Sequence, residues 1–378
     1  MSDVELWRRF RSQMPVTERF AYFDHAAVAP LPAPTRDALV RYAAEAASEG
    51  NTAWLRWNRR VEEVRAAAAR LITASTEEVA LVRNTTEGIS IVAEGFPWQP
   101  GDNVVVPGNE FPSNVYPWLN LASRGVETRL VPVDGPGFEV ESLLAAADER
   151  TRLIAVSWVG YATGWRTDVA RLVELAHRKN ILVLLDAIQG LGALPFDVSQ
   201  TPVDFLAADG HKWLLGPEGA GILFVRSELL DRLRPTGVGW HSVVHASDYT
   251  RLELDLKPAA ARYEGGSANM PGFLALGASI DLLLELGLQN TERRILEITD
   301  LACDKLATRG ARVFSCRTAE RSSGIVAFEL EGIDPQVVRQ RCLSRGVVLG
   351  CRAGRLRISP HAYVNEEDVE RLVDSLSP

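Results

Sequence analysis

Cysteine is scarce in this sequence, and its spacing excludes two common structural roles. The 378 residues contain four cysteines near the C-terminus, with no Cys-x-x-Cys spacing: Cys303, Cys316, Cys342 and Cys351. Disulfide frameworks belong mainly to small, cysteine-dense secreted chains, and structural zinc sites need closely spaced ligand pairs. We therefore predict no disulfide framework and no metal site. We interpret the four cysteines as thiols that are buried or have no chemical role.

Long apolar runs and an excess of positive charge are also missing. No stretch approaches the roughly 20 apolar residues of a membrane helix, and the N-terminus, MSDVELWRRFRSQM, is charged and unlike a signal peptide. The formal net charge of −8 disfavours electrostatic attraction to nucleic acid or anionic membranes. These absences predict a cytoplasmic protein whose partner is a small neutral or zwitterionic molecule.

Lysine is replaced by arginine almost everywhere, so an amine nucleophile could come from only four positions. They are Lys179, Lys212, Lys257 and Lys305. Only Lys212, in ADGHKWLLGPEGAG after an apolar run, has surroundings typical of a pocket. A lysine that desolvation keeps neutral can attack an aldehyde and later act as a base. The alternative is a surface lysine whose stem covers apolar neighbours.

Short apolar runs are abundant between residues 79 and 225. They are VALV, NVVVPG, ETRLVPV, RLIAVSWV, ILVLLDA, VDFLAAD and AGILFV. Several, such as ILVLLDA, are apolar on both faces, as strands in a helix-covered sheet must be, and residues 168–180 have the period of a crossover helix. We predict an α/β fold with a doubly wound, mostly parallel sheet of about seven strands.

The pattern of apolar and polar residues changes beyond residue 264. Long amphipathic stretches there precede short strands and a final helix that Asn365 can cap. This predicts a large domain at 21–263 and a smaller C-terminal α/β domain at 264–378, against which residues 1–20 pack. In open α/β sheets, ligands bind outside the carboxyl ends of the strands. We therefore expect ligand-binding and catalytic residues at NTTEG, at NEFPSN, at Asp186 and at GHKW.

Two of these strand ends suggest a charged ligand. Asp186 ends an apolar strand, where a carboxylate is costly unless a positive group such as a protonated pyridine nitrogen meets it. In NTTEGIS, Thr85 and Thr86 stand where a strand turns into a helix, so hydroxyls and free N–H groups could bind a phosphate. The alternative in both cases is an ordinary helix cap.

Seven segments occur in an order that resembles one family. They are YFDHAAVAPLP (22–32), NTTEG (84–88), NEFPSNVYPW (109–118), the Asp186–Gln189 pair, GHKWLLGPEGAG (210–221), EGGSAN (264–269) and RISPHAYVN (357–365). The chain resembles the class V aminotransferase family of fold-type I enzymes that use pyridoxal 5′-phosphate (PLP). That group includes cysteine desulfurases, kynureninase and isopenicillin N epimerase.

The resemblance implies roles for individual residues. Lys212 would hold PLP as a Schiff base, Asp186 would pair with the pyridine nitrogen, and Gln189 would hydrogen-bond the phenolic oxygen. Phe111 would stack on the ring, and Arg357 would bind the substrate carboxylate, although Arg355 shares its face if the segment is a strand. The phosphate would be bound by Thr85, Thr86 and His211, with Ser267 reaching it from a second subunit. A homodimer with shared active sites follows.

Some positions depart from the family pattern. Desulfurases carry a reactive cysteine on a loop before the carboxylate-binding arginine, whereas Cys351 directly follows a predicted strand. Phe111 replaces a histidine, Trp158 replaces an asparagine, and Asp209 stands where a phosphate-binding serine is common. These differences favour the isopenicillin N epimerase-like branch. His25, Trp240 and His241 are candidates for the substrate pocket, and each could equally be a packed residue.

The sequence thus predicts a PLP-dependent enzyme that acts at the α-carbon of an amino acid or amine, with Lys212 as the base. The favoured reaction is transamination or epimerisation. The alternative is a cysteine desulfurase or related C–S lyase. A non-catalytic PLP-fold binding protein is the least favoured, because binding alone does not need the lysine, aspartate and arginine together.

Overall fold

A computed structural model describes residues 3–377, and within them the chain forms thirteen strands and eleven helices. The strands are β1 (Ala21–Tyr22), β2 (Val79–Val82), β3 (Asn103–Pro107), β4 (Glu127–Val131), β5 (Thr151–Ser157), β6 (Leu182–Asp186), β7 (Phe205–Asp209), β8 (Gly221–Val225), β9 (Ala311–Val313), β10 (Val326–Leu330), β11 (Val347–Val348), β12 (Gly350–Arg352) and β13 (Arg355–Ile358). The helices are α1 (Asp3–Ser12), α2 (Ala33–Glu49), α3 (Trp54–Ile72), α4 (Thr85–Gly95), α5 (Tyr116–Leu119), α6 (Val140–Ala145), α7 (Val169–His177), α8 (Met270–Leu286), α9 (Leu288–Thr308), α10 (Pro335–Ser344) and α11 (Glu366–Leu376).

The seven apolar runs form one seven-stranded sheet in the order β2-β8-β7-β6-β5-β3-β4. Its four neighbouring pairs from β4 to β7 are parallel, and β8 runs antiparallel to both β7 and β2. The predicted α/β class and the mostly parallel sheet of seven strands are confirmed.

The central strands are apolar except at their ends because both of their faces are covered. Along β5, Ile154 and Val156 contribute to one buried cluster, while Leu153 and Ala155 contribute to a second. Successive strand residues point to opposite faces, so these two clusters are the cores on the two sides of the sheet. A strand in such a position has no polar side and reads as a continuous apolar run.

The C-terminal part contains an antiparallel sheet in the order β12-β13-β10-β9. The N-terminal segment joins it, because β1 pairs in parallel with β11 and the Arg11 guanidinium binds the Asp368 carboxylate on α11 at 2.6 Å. Asn365 caps α11 as expected, accepting from the Asp368 N–H at 3.0 Å. The domain boundary at 263/264 stays a prediction.

Helices α8 and α9 carry the long amphipathic stretches seen in the sequence. In residues 3–377 no single helix is both long and apolar enough to cross a membrane, and only these two helices together, bent by 82°, meet such a criterion. Both bury apolar residues in the protein core, among them Leu276, Ile280, Ile295 and Ile298.

Candidate functional site

A cavity of about 300 Å³ lies at the carboxyl ends of strands of the large sheet. Residues that follow or end β2, β3, β5, β6 and β7 line it, and Arg352 and Arg357 enter from the C-terminal sheet. Eight of the predicted site residues share this lining: Thr85, Thr86, Phe111, Asp186, Gln189, His211, Lys212 and Arg357.

Lys212 follows β7 and is only 9% exposed. Burial lowers the pKa of its amine to about 8, against the opposing charge of Asp186, and the positive charge of Arg357 lowers it further. The Nζ atom lies 5.6 Å from the centre of the Phe111 ring. Among the residues that the structure describes, no hydrogen bond or ion pair involves this Nζ, so the amine is available to a ligand in the cavity.

Asp186 ends β6 as a buried carboxylate. Burial raises its pKa to about 6, although an N–H donated by Ile188 at 3.1 Å and the charge of Lys212 both oppose the rise. A carboxylate in such a place favours a cationic partner. An acid and an amine therefore line the same small cavity.

The phosphate candidates lie at the N-terminus of α4. Asn84 is an ordinary helix cap, since its side chain accepts the Glu87 N–H at 2.9 Å. The Thr85 hydroxyl accepts the Asp209 N–H at 2.9 Å, and the Thr86 hydroxyl donates to Ser113 at 2.8 Å. A cap and an anion site are compatible here, because the Asn84 side chain bonds only the Glu87 N–H, and Thr85 and Thr86 line the cavity at the helix N-terminus.

Asp209 pairs with the histidine that the resemblance assigns to the phosphate. Its Oδ2 lies 2.9 Å from Nδ1 of His211, while its Oδ1 accepts the Gly210 N–H at 2.7 Å. The carboxylate thus has a neighbour at each of its two oxygens. This pairing explains how an acid can stand where a serine is common.

Strand spacing alone did not decide whether Arg357 or Arg355 faces the candidate site. The two residues differ clearly in their surroundings. Arg357 is buried, and it donates to the Asp24 carboxylate at 2.9 Å and to the Tyr161 carbonyl at 2.7 Å. Arg355 instead binds Glu329 at 2.6 Å and covers the Phe314 ring. Only Arg357 of this pair lines the cavity.

Several predicted residues lie outside the cavity of their own chain. His25 is fully buried, with Nε2 2.9 Å from the Tyr363 hydroxyl, and Trp240 is exposed and packs edge-on against His241. Ser267 lines a neighbouring groove that also includes Thr86. The proposed roles of His25, Trp240, His241 and Ser267 stay predictions.

Sequence reasoning missed four residues at or beside the cavity. Ser113, Tyr161 and Arg352 line it, and Tyr161 packs edge-on against Phe111 with ring centres 5.3 Å apart. Glu110 accepts the Ser157 N–H at 2.6 Å, and burial raises its pKa to about 7. Its position just after β3 was the available signal.

The chain belongs to the aminotransferase class V family, whose profile matches residues 21–372. This membership confirms the predicted family, fold class and PLP cofactor. A probable cysteine desulfurase of Methanothermobacter thermautotrophicus is 32% identical, and the alignment covers 97% of this chain and 96% of that protein. The cysteine desulfurase CsdA of Escherichia coli is 29% identical, with the same coverage of 97% and 96%.

Solved structures agree with this assignment. The crystal structure of Escherichia coli CsdA in an S-sulfonic acid form has a TM-score of 0.88 at 27% identity, covering 98% of this chain and 97% of that one. The cystine C–S lyase C-DES, solved with its reaction product cysteine persulfide, has a TM-score of 0.90 at 23% identity, covering 96% and 99%. The second likeness shows a shared fold.

The residues of the cavity fit PLP. The unpaired Lys212 amine suits a bond to an aldehyde, and the buried Asp186 carboxylate suits a protonated ring nitrogen. The α4 N-terminus with Thr85 and Thr86 suits a phosphate. The cavity therefore offers a partner for the aldehyde, the ring nitrogen and the phosphate of the cofactor.

Proposed function

We propose that this protein is a PLP-dependent C–S lyase, which breaks the β-carbon to sulfur bond of cysteine, cystine or a similar amino acid. The curated relatives described above are cysteine desulfurases, which supports a sulfur-containing substrate over the transaminase or epimerase that the sequence favoured. The position of Cys351 then supports a lyase over a desulfurase.

Cys351 lies on β12 between Gly350 and Arg352. Because successive strand residues point to opposite faces, its thiol projects away from the side on which Arg352 lines the cavity. Its nearest charges besides Arg352 are Arg339 and Asp334, which belong to α10 and its cap, and burial raises the pKa of this thiol. A protonated thiol on the wrong face is poorly placed to receive sulfur from a substrate.

The other three cysteines do not line the cavity either. A desulfurase of the kind described by the resemblance needs a cysteine that collects sulfur at the active site. We infer that sulfur leaves on the product instead. In a balanced elimination, the α-proton moves to Lys212, the C–S electron pair leaves with sulfur, and water completes the conversion to pyruvate, ammonia and a sulfur product, which is hydrogen sulfide from cysteine and cysteine persulfide from cystine.

The residues of the chain divide this work. PLP, when bound, supplies an aldehyde and an electron-withdrawing ring. Lys212 would hold the cofactor and then move the α-proton, while Asp186 would keep the ring nitrogen protonated. Arg357 would bind the α-carboxylate, and Phe111 would stack on the ring. Arg352 adds a second guanidinium at the cavity and has no acidic partner among residues 3–377.

Product analysis tests the proposal. Holoenzyme supplied with L-cystine should release pyruvate, ammonia and cysteine persulfide, and Cys351→Ser should retain this activity, as should the control Cys303→Ser. Release of alanine from L-cysteine that Cys351→Ser abolishes would instead establish a desulfurase. Amino transfer to a keto acid, or racemisation without C–S cleavage, would favour the transaminase or epimerase. Lys212→Ala should be inactive in every assay.

The same proposal includes two predictions about the oligomeric state and the cellular location. We propose a homodimer with shared active sites, supported by the exposed position of Ser267 in a groove beside Thr86. We also propose a cytoplasmic enzyme, on the charge and hydropathy of the sequence.

A further inference from the structure

Trp213 directly follows Lys212 and makes a buried hydrogen bond to a second residue of the cavity. Trp213 is buried, and its indole N–H donates to Oε1 of Gln189 at 3.0 Å. Gln189 is buried as well and lines the cavity. The opposite end of its amide, Nε2, donates to the carbonyl oxygen of Ala26 at 3.1 Å.

These two partners determine which way the Gln189 amide points. An indole N–H can only donate, and a carbonyl oxygen can only accept. A flipped amide would set an NH₂ group against the indole N–H of Trp213 and an oxygen against the oxygen of Ala26. Both contacts would be repulsive in a buried setting. One hydrogen of Nε2 binds Ala26, so the second hydrogen is left for an acceptor in the cavity.

The indole of Trp213 is held firmly in place. Its ring packs against the imidazoles of His25 and His361, with ring centres 6.1 and 5.9 Å away, and these two imidazoles also contact each other. A Cβ built on Gly324 would approach Cη2 of the indole at 2.5 Å, and one built on Gly192 would approach the Trp213 carbonyl oxygen at 2.3 Å. The ring therefore fills its space and cannot rotate away from Gln189 without moving several neighbours.

We propose that Trp213 is a positioning residue, which locks the Gln189 amide so that an N–H faces the phenolic oxygen of PLP. This inference rests on the proposed function. A donated N–H withdraws charge from a phenolate, and the Lys212 nitrogen beside that phenolate then holds its proton less tightly. Trp213 would thus set the pH at which the Lys212-bound cofactor changes its visible absorption, without touching the cofactor itself.

Absorption titrations of purified holoenzymes test this role. Trp213→Phe keeps an aromatic ring but removes the N–H, and Gln189→Ala removes the amide. Both should raise the midpoint pH of the visible band by about 0.5–1 unit, as expected for the loss of one hydrogen bond. The double variant should show no larger shift than Gln189→Ala, because the two residues act in series. Trp98→Phe removes a buried indole N–H that bonds the Ala93 carbonyl away from the cavity, and it should leave the midpoint unchanged.

A second variant covers the case in which Trp213→Phe fails to fold. Benzothienylalanine at position 213 has sulfur in place of the indole N–H and preserves the shape of the ring, so the same upward shift is expected. A midpoint unchanged in either folded Trp213 variant, while Gln189→Ala shifts it, would overturn the inference. Failure of the wild-type protein to develop any visible band with PLP would instead overturn the proposed function.

Discussion

Lys212 and Asp186 illustrate how burial tunes a pair of opposite charges in one cavity. Desolvation lowers the pKa of the amine to about 8 and raises that of the acid to about 6. Each shift favours the neutral form, and each is limited by the charge of the other residue. Near neutral pH the amine is thus much closer to its reactive form than an ordinary lysine.

The pH dependence of cofactor uptake follows from the lowered pKa of Lys212. Only the neutral amine attacks an aldehyde, so the rate at which the apoprotein bonds to PLP should rise with pH and level off above about pH 8. A free lysine analogue, with its pKa near about 10.4, should continue to rise over that range. Stopped-flow absorbance measures both rates. A protein rate that parallels the free analogue would show that the amine is not desolvated.

Arg357 should matter for stability as well as for substrate binding. Its removal in Arg357→Ala leaves the buried Asp24 carboxylate without its cation. We expect the free energy of unfolding of the apoprotein to fall by about 3–5 kcal/mol, the usual cost of breaking a buried pair. Arg355→Ala is the matched control, because its pair with Glu329 is half-exposed, and should cost about 1 kcal/mol. Equal losses in denaturant titrations would contradict this account.

The β12–β13 hairpin determines whether Cys351 can reach the cavity. Arg352 pairs with Arg355 across a two-residue turn, in which Ala353 and Gly354 have φ values of 48° and 75°. These positive values define the tight turn that matches the twist of antiparallel strands. Such a turn leaves no loop that could carry a cysteine into the cavity.

The same turn contains a residue under backbone strain. An alanine at positive φ is unfavourable, whereas Asn-Gly is the preferred pair in this turn type. Ala353→Asn should therefore raise the free energy of unfolding by about 0.5–1 kcal/mol. Ala319→Asn, at an exposed position without positive φ, serves as the control and should change it by less than about 0.5 kcal/mol. Equal shifts in the two melting curves would contradict the role of the turn.

At the scale of the whole molecule, the cavity depends on parts that are far apart in sequence. Strand ends of the large sheet supply Asp186 and Lys212, while β13 supplies Arg357. The bond from Arg357 to Asp24, next to β1, ties the C-terminal sheet to the N-terminal segment beside the cavity. Movement between these parts would change the distance from the carboxylate site to the amine.

Complementation between subunits tests the proposed dimer. Light scattering should give twice the chain mass of 41.5 kDa. Lys212→Ala and Ser267→Trp should each be inactive alone if Ser267 completes the partner's phosphate site. After unfolding and refolding together, mixed dimers would contain one intact site, and about a quarter of the wild-type activity should return. A monomeric mass, or no recovery in mixed samples that do form dimers, would contradict shared sites.

The sheet, the family and most of the cavity residues could be predicted from the order of the amino acids. The inner strands are buried on both faces and therefore form apolar runs, and the half-exposed edge strand β4 still contains a short apolar run, so β2 to β8 were all visible in the sequence. Lys212, Asp186 and the threonines could be found because they follow those runs directly. Their spacing along the chain reflects local geometry, which a sequence records.

The pairings between distant segments became visible only in the folded chain. Arg357 was separated from Arg355 by the carboxylates that each one meets, and Asp209 was explained by the ring of His211. The face of Cys351 depended on the strand that holds it, and the orientation of Gln189 depended on Trp213. Such contacts arise from packing in three dimensions, and no periodicity in the chain encodes them.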